Sequence, residues 1–85
     1  MKRIKIANAH PNDIIRVDFR WDDSYIILKI KYMKIYYERA TIILNSKILK
    51  STSPFIFEST SLELSFSLGR EVVKYDIEEI IPLLI

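Results

Sequence analysis

Cysteine and glutamine are absent from this chain, glycine occurs once, at Gly69, and histidine once, at His10. Without cysteine there can be no disulfide, no thiolate nucleophile and no cysteine-ligated zinc. A single glycine cannot build a glycine-rich phosphate loop or a Gly-x-Ser-x-Gly elbow. A serine triad would need His10 as its base, and no serine stands out as its partner. His10 lies in Asn8-Ala9-His10-Pro11-Asn12-Asp13 and reads as a surface-loop histidine. No apolar run approaches the roughly 18–20 residues of a membrane span, and the basic start Met1-Lys2-Arg3 is not followed by a signal-length apolar stretch. A cytoplasmic domain is therefore expected, with no membrane association.

Much of the chain is apolar. The 85 residues are 49% hydrophobic and 12% aromatic, a high content for one domain whose small size leaves much of its surface in water. Some apolar surface is left for a partner. The bias towards Ile and Lys, with the thermolabile Cys and Gln missing, leans towards a thermophilic source.

Alternation dominates the pattern. Ile15, Val17, Phe19 and Trp21 alternate with charged residues, and after Asp22-Asp23-Ser24-Tyr25 Ile26, Leu28, Ile30 and Tyr32 alternate with Ile27, Lys29 and Lys31. A hairpin closed over that loop sets Trp21 against Ile26, Phe19 against Leu28 and Val17 against Ile30, with every apolar residue on one face. Leu62, Leu64, Phe66 and Leu68 alternate with Glu63, Ser65 and Ser67, and Gly69-Arg70 suits a type II′ turn. That hairpin sets Phe66 against Val73, Leu64 against Tyr75 and Leu62 against Ile77. A middle hairpin is expected from Thr41–Leu44 and Lys47–Lys50 about an Asn45-Ser46 turn, followed by a short strand at Phe55–Phe57. Ile4 and Ile6 mark a first short strand.

After Tyr32 the apolar parity flips, because Met33, Ile35 and Tyr37 are apolar where Lys29 and Lys31 are polar. A bulge near Tyr32 explains this, since one inserted residue reverses the faces. A helix through Ile26, Ile30, Met33 and Tyr37 is the competing reading, and the β-branched and aromatic content argues against it. At the C-terminus Asp76 and Glu79 have capping-box spacing, and Pro82 limits any helix to about one turn before an extended Leu83–Ile85. The fold class is all-β: one domain over residues 1–85, a small antiparallel β-sandwich or partly open barrel built from hairpins, with at most one short C-terminal helical turn.

The acidic pairs Asp22-Asp23 and Glu78-Glu79 read as turn and helix-start residues rather than metal ligands. No catalytic set, metal, cofactor or small-molecule substrate is implied. Charge is more informative. Residues 1–50 carry eleven Lys and Arg against five acids, and residues 51–85 carry two against six. Two functions follow. The first is a non-enzymatic binding or assembly module acting through a protein–protein surface, an accessory protein that pairs with itself along Met33, Ile35, Tyr36, Tyr37 and Arg39. The second is a nucleic-acid-binding β-domain whose basic, aromatic-interleaved face carries Arg16, Arg20, Tyr25, Lys29 and Lys31.

Overall fold

A computed structural model describes residues 1–84, which form one antiparallel sheet of six strands. In chain order these are β1 (Lys2–Lys5), β2 (Ile14–Asp18), β3 (Tyr25–Tyr36), β4 (Thr41–Ser51), β5 (Ser61–Ser67) and β6 (Glu71–Tyr75), followed by the single helical turn α1 (Ile77–Ile80) and a 3-10 turn, Ile81–Leu83. The order across the sheet is β1-β6-β2-β3-β4-β5.

Such a sheet cannot lie flat. Four inter-strand spacings, about 19 Å, separate β5 from β6 in a plane, yet only Leu68, Gly69 and Arg70 join them, a link that reaches at most about 14 Å. The sheet therefore folds over on itself and stays unclosed. One layer holds β1, β6, β2 and the adjoining parts of β3 and β4. The other holds the far ends of β3 and β4 together with β5. The core lies between them, with Ile15, Val17, Ile26, Leu28, Ile30, Ile42, Leu44, Ile48 and Val72 buried and Met33, Ile35, Leu62, Leu64 and Phe66 closing around them.

The long β3–β4 hairpin makes the fold-over, and two bulges shape it. Ile30 pairs with Ser46 and Tyr32 with Asn45, so Lys31 has no cross-strand partner; Ile27 pairs with Lys50 and Leu28 with Ile48, so Leu49 has none. The parity change expected near Tyr32 is thus a bulge at Lys31, and it keeps both Ile30 and Met33 on the core side. Met33–Tyr36 is strand, and the tip is the 3-10 turn Tyr37–Arg39 ended by Ala40 at φ 48°. An alanine in the left-handed region carries about 1 kcal/mol of steric strain. Ala40→Gly is expected to raise the thermal midpoint by a few degrees; an unchanged or lower midpoint would contradict the strain.

Three expected pairings are corrected. The first hairpin has its four-residue loop two positions earlier, over Arg20–Asp23, so Val17 faces Ile26, Ile15 faces Leu28 and Asp18 faces Tyr25. The Asp22 carboxylate closes that loop by accepting from the Ser24 N–H at 3.0 Å and its hydroxyl at 2.6 Å, and Asp23 takes φ 56°. Trp21 consequently sits in the loop and not opposite Ile26. The middle hairpin does not exist, because Asn45 and Ser46 lie inside β4, where the fully buried Ser46 is small enough for the crowded fold-over. The Gly69 hairpin does not exist either. β6 inserts between β1 and β2, Gly69 has no positive φ, and β5 pairs with β4, with Leu64 opposite Leu44 and Phe66 opposite Ile42. Lying inside the sheet, β6 buries Val72 in the main core and sends Val73 and Tyr75 to the other face.

Two short segments also differ. Ile6 begins a 3-10 turn, and Phe55–Phe57 is not a strand, the chain bending over residues 54–56. At the C-terminus the Asp76 N–H donates to the Glu79 carboxylate at 2.7 Å, and Ile80 packs onto Ile14, Ile27 and Tyr75 on the outer face of the sheet. The expected extended end is a 3-10 turn through Leu83, and Ile85 lies outside the described residues. The N-terminal ammonium of Met1 and the Asp76 N–H both bond the Glu79 carboxylate, which holds its pKa below the ordinary 4.5. A lowered folded-state pKa stabilises the fold above the ordinary value, and the effect fades as pH falls through the lowered one. An NMR titration should show the Glu79 carboxyl protonating below pH 4.5; protonation at or above it would count against these contacts.

Candidate nucleic-acid interface

Which face each residue takes follows from the ladder. On β3, residues 26, 28 and 30 face the core, so Tyr25, Ile27 and Lys29 face outward; beyond the Lys31 bulge the outward residues are Tyr32, Lys34 and Tyr36. On β4 the outward set includes Lys47 and, past the Leu49 bulge, Lys50. The register places Lys29 directly across from Lys47. Like charges in that position oppose pairing, and although Glu63 shares this face across from Asn45, no ion pair to either lysine forms among the described residues. Among the described residues the ion pairs are Arg3–Glu71, Arg16–Asp18, Lys74–Asp13 and the Met1 ammonium with Glu79. Lys29, Lys31, Lys34, Lys47 and Lys50 join none of them. Lys31 Nζ donates to the Ser61 hydroxyl at 2.6 Å and Lys50 Nζ to the Leu83 carbonyl at 3.3 Å, contacts that direct the amines without cancelling charge.

Tyr25 borders this lysine surface. The Arg16 guanidinium lies 4.0 Å from its ring centre and the Lys50 amine 6.0 Å away. Arg16 is also bound at 3.0 Å by the Asp18 carboxylate, so it is oriented but largely neutralised. Burial opposes the Arg16 charge, and its bonds to Asp18 and Tyr75 outweigh that, moving its pKa upward. Arg20 sits apart in the β2–β3 loop, lining an open cleft with Arg3, Asp18, Arg70 and Glu71. Of the five residues expected on the basic face, Lys29 and Lys31 join no ion pair among the described residues, Arg16 and Tyr25 stack on each other, and Arg20 lies at the end. Lys34, Lys47 and Lys50 complete the surface. Their strand alternation signals an outward face only once Lys47 and Lys50 are assigned to the strand paired with β3.

A second basic region surrounds β1, where Lys2 pairs with Lys74 and a cleft is lined by Lys5, Asn8 and His10. Lys74 lies 3.5 Å from Asp13, and Arg3 3.5 Å from Glu71, so this region is partly neutralised. His10 is exposed, its backbone N–H tied to the Asp13 carboxylate at 2.9 Å.

The residues expected to form a self-pairing surface divide. Met33 and Ile35 pack against the core. Tyr36 is half-buried beneath the Arg39 guanidinium, 4.6 Å from its ring centre, and Tyr37 is exposed. Among the described residues no group of three His, Asp or Glu side chains could hold a metal, and no helix is long and apolar enough to cross a membrane. Fold and surface together define a small all-β domain with a lysine-rich outer hairpin. Comparison with known proteins returns no matching family model, no matching curated protein and no matching solved structure.

Proposed function

We propose that this domain is a non-catalytic nucleic-acid-binding module that holds phosphates on the outer face of the β3–β4 hairpin. One observation carries the reading: Lys29 opposes Lys47 in the ladder, with Lys31, Lys34 and Lys50 on the same face of the sheet and, among the described residues, no acid paired to any of the five. An array of unpaired cations costs stability through mutual repulsion, and a polyanion relieves it while releasing the counterions of its phosphates. From Lys29 to Lys34 the strand contour is about 17 Å, room for two or three phosphates.

Binding should be strongly salt-dependent. Five contacts give a log–log slope of about −3.5 on a single strand and about −4.5 on duplex DNA, readable by fluorescence anisotropy across a salt series. No binding at low salt would sink the proposal, and cleavage of the strand in the presence of Mg²⁺ would sink its non-catalytic part.

Association between copies through a protein–protein surface is a second reading, favoured by one feature. Among the described residues, β3 beyond Ile30, which bonds to Asn12 and Asp13, pairs only with β4 and leaves its other edge open from Lys31 to Tyr36. Open edges invite strand addition. A concentration-independent monomer in sedimentation equilibrium would remove this reading.

A further inference from the structure

We infer that the nucleic acid held by the lysine face is single-stranded, and that Trp21, Phe55 and Phe57 stack on its bases. This rests on the phosphate-binding reading above and names its substrate class. The chain's one tryptophan is 74% exposed at the tip of the β2–β3 loop, while Phe55 and Phe57, on the β4–β5 loop, are 78% and 66% exposed.

Both loops stand at the same end of the molecule. The Tyr25 N–H donates to the Thr52 hydroxyl at 2.8 Å and the Thr52 N–H to the Tyr25 carbonyl at 3.0 Å, which fastens the end of the β2–β3 loop to the start of the β4–β5 loop. Trp21 is not loose. One face of its indole stacks on Phe19, with centroids 4.7 Å apart and planes 27° apart, and Phe19 is anchored in the core. A flat ring fixed on one side and open on the other is a platform formed before any ligand arrives. Tyr25, flanked by Arg16 and Lys50, lies between this end and the lysine face.

A paired duplex hides the faces of its bases, whereas a single strand offers them, and every base has one. Cations that follow a backbone beside exposed aromatic rings are the arrangement by which sequence-tolerant single-strand binding works. The aromatic loops would add nothing to duplex binding.

The test uses the full chain with an oligothymidylate of about a dozen nucleotides and a DNA duplex carrying the same number of phosphates, at low salt. The oligothymidylate should bind at least about tenfold more tightly than the duplex and quench Trp21 emission. Trp21→Ala should weaken single-strand binding by about tenfold while leaving duplex binding and the salt slope unchanged, and Trp21→Phe should restore most of the loss. Equal binding of both forms with unchanged Trp21 emission would overturn the inference and leave the lysine-face reading standing. Failure of both forms to bind would overturn the two together.

Discussion

Lys29→Glu is expected to make the protein more stable and a weaker binder. In the ladder Lys29 lies across from Lys47, so the substitution converts a repelling pair into an attracting one. Opposed charges of opposite sign contribute about 0.2–1 kcal/mol in a sheet, which moves the thermal midpoint up by a few degrees. The same change removes one phosphate contact and sets a carboxylate among the remaining lysines. The salt slope on a single strand should fall by about 0.7, and low-salt affinity by about tenfold or more. Lys47→Glu should act the same way. The double substitution should lose the stability gain, because two glutamates repel as two lysines do, and should nearly abolish binding. A variant that gained stability and bound as well as before would refute the assignment of this face. The opposite signs matter, because damage to the fold would lower both quantities together.

Deleting Lys31 is expected to unfold the domain, whereas Lys31→Ala should change its stability by no more than about 0.5 kcal/mol. Lys31 is exposed and its side chain bonds only the Ser61 hydroxyl, so truncation removes little. Its backbone, however, is the extra residue that keeps Met33 and Ile35 facing the same core as Ile30. Without it, every residue from Tyr32 to Tyr36 turns to the other face, or the whole hairpin slips by one. Exposing Met33 and Ile35, which are half-buried, would cost about 2–3 kcal/mol, a large share of what a domain of this size has available. Circular dichroism during thermal unfolding distinguishes the two variants. A deletion variant that melts at the same temperature as the parent would show the bulge to be dispensable.

That bulge is also where the sequence was most legible. Apolar parity changes after Tyr32, and only an inserted residue reconciles the two halves of β3 with one core. The capping contact between Asp76 and Glu79 was readable for the same reason, since both signals are local. The failures concern partners. Ser61–Ser67 and Glu71–Tyr75 are strands, as their alternation says, and the short Gly69-Arg70 turn suggested that they pair. Nothing local to β6 reveals that β1 and β2 will flank it. The adjacent Val72 and Val73 were the available hint, because a strand covered on both faces buries consecutive residues. Asn45-Ser46 misled in another way. Small polar residues suit turns, and Ser46 equally suits a crowded bend inside a strand. The first hairpin kept its faces while its register moved, since moving each strand by two residues preserves parity.

The same division explains the candidate site. Lys29 and Lys31 could be placed on an outward face from β3 alone. Lys47 and Lys50 could not, because the false turn at Asn45-Ser46 hid the strand that brings them alongside Lys29. Trp21 was assigned to the core face by alternation, and the aspartate-closed loop moves it into solvent.

The place of β1 sets an order of assembly. Ile35 and Ile42 meet seven positions apart, so the central hairpin can zip up from its own tip, while Lys2 pairs with Lys74 across nearly the whole sequence. Contacts of such separation form slowly, because a long loop must close before any bond rewards it. Of these six strands β1 leaves the ribosome first and docks last, because it waits for β6 to be synthesised. Until then β6's place beside β1 is empty and the Ile4 side chain has no Val72 to cover. In hydrogen-exchange measurements the β1–β6 ladder should accordingly open at a lower free energy than β3–β4.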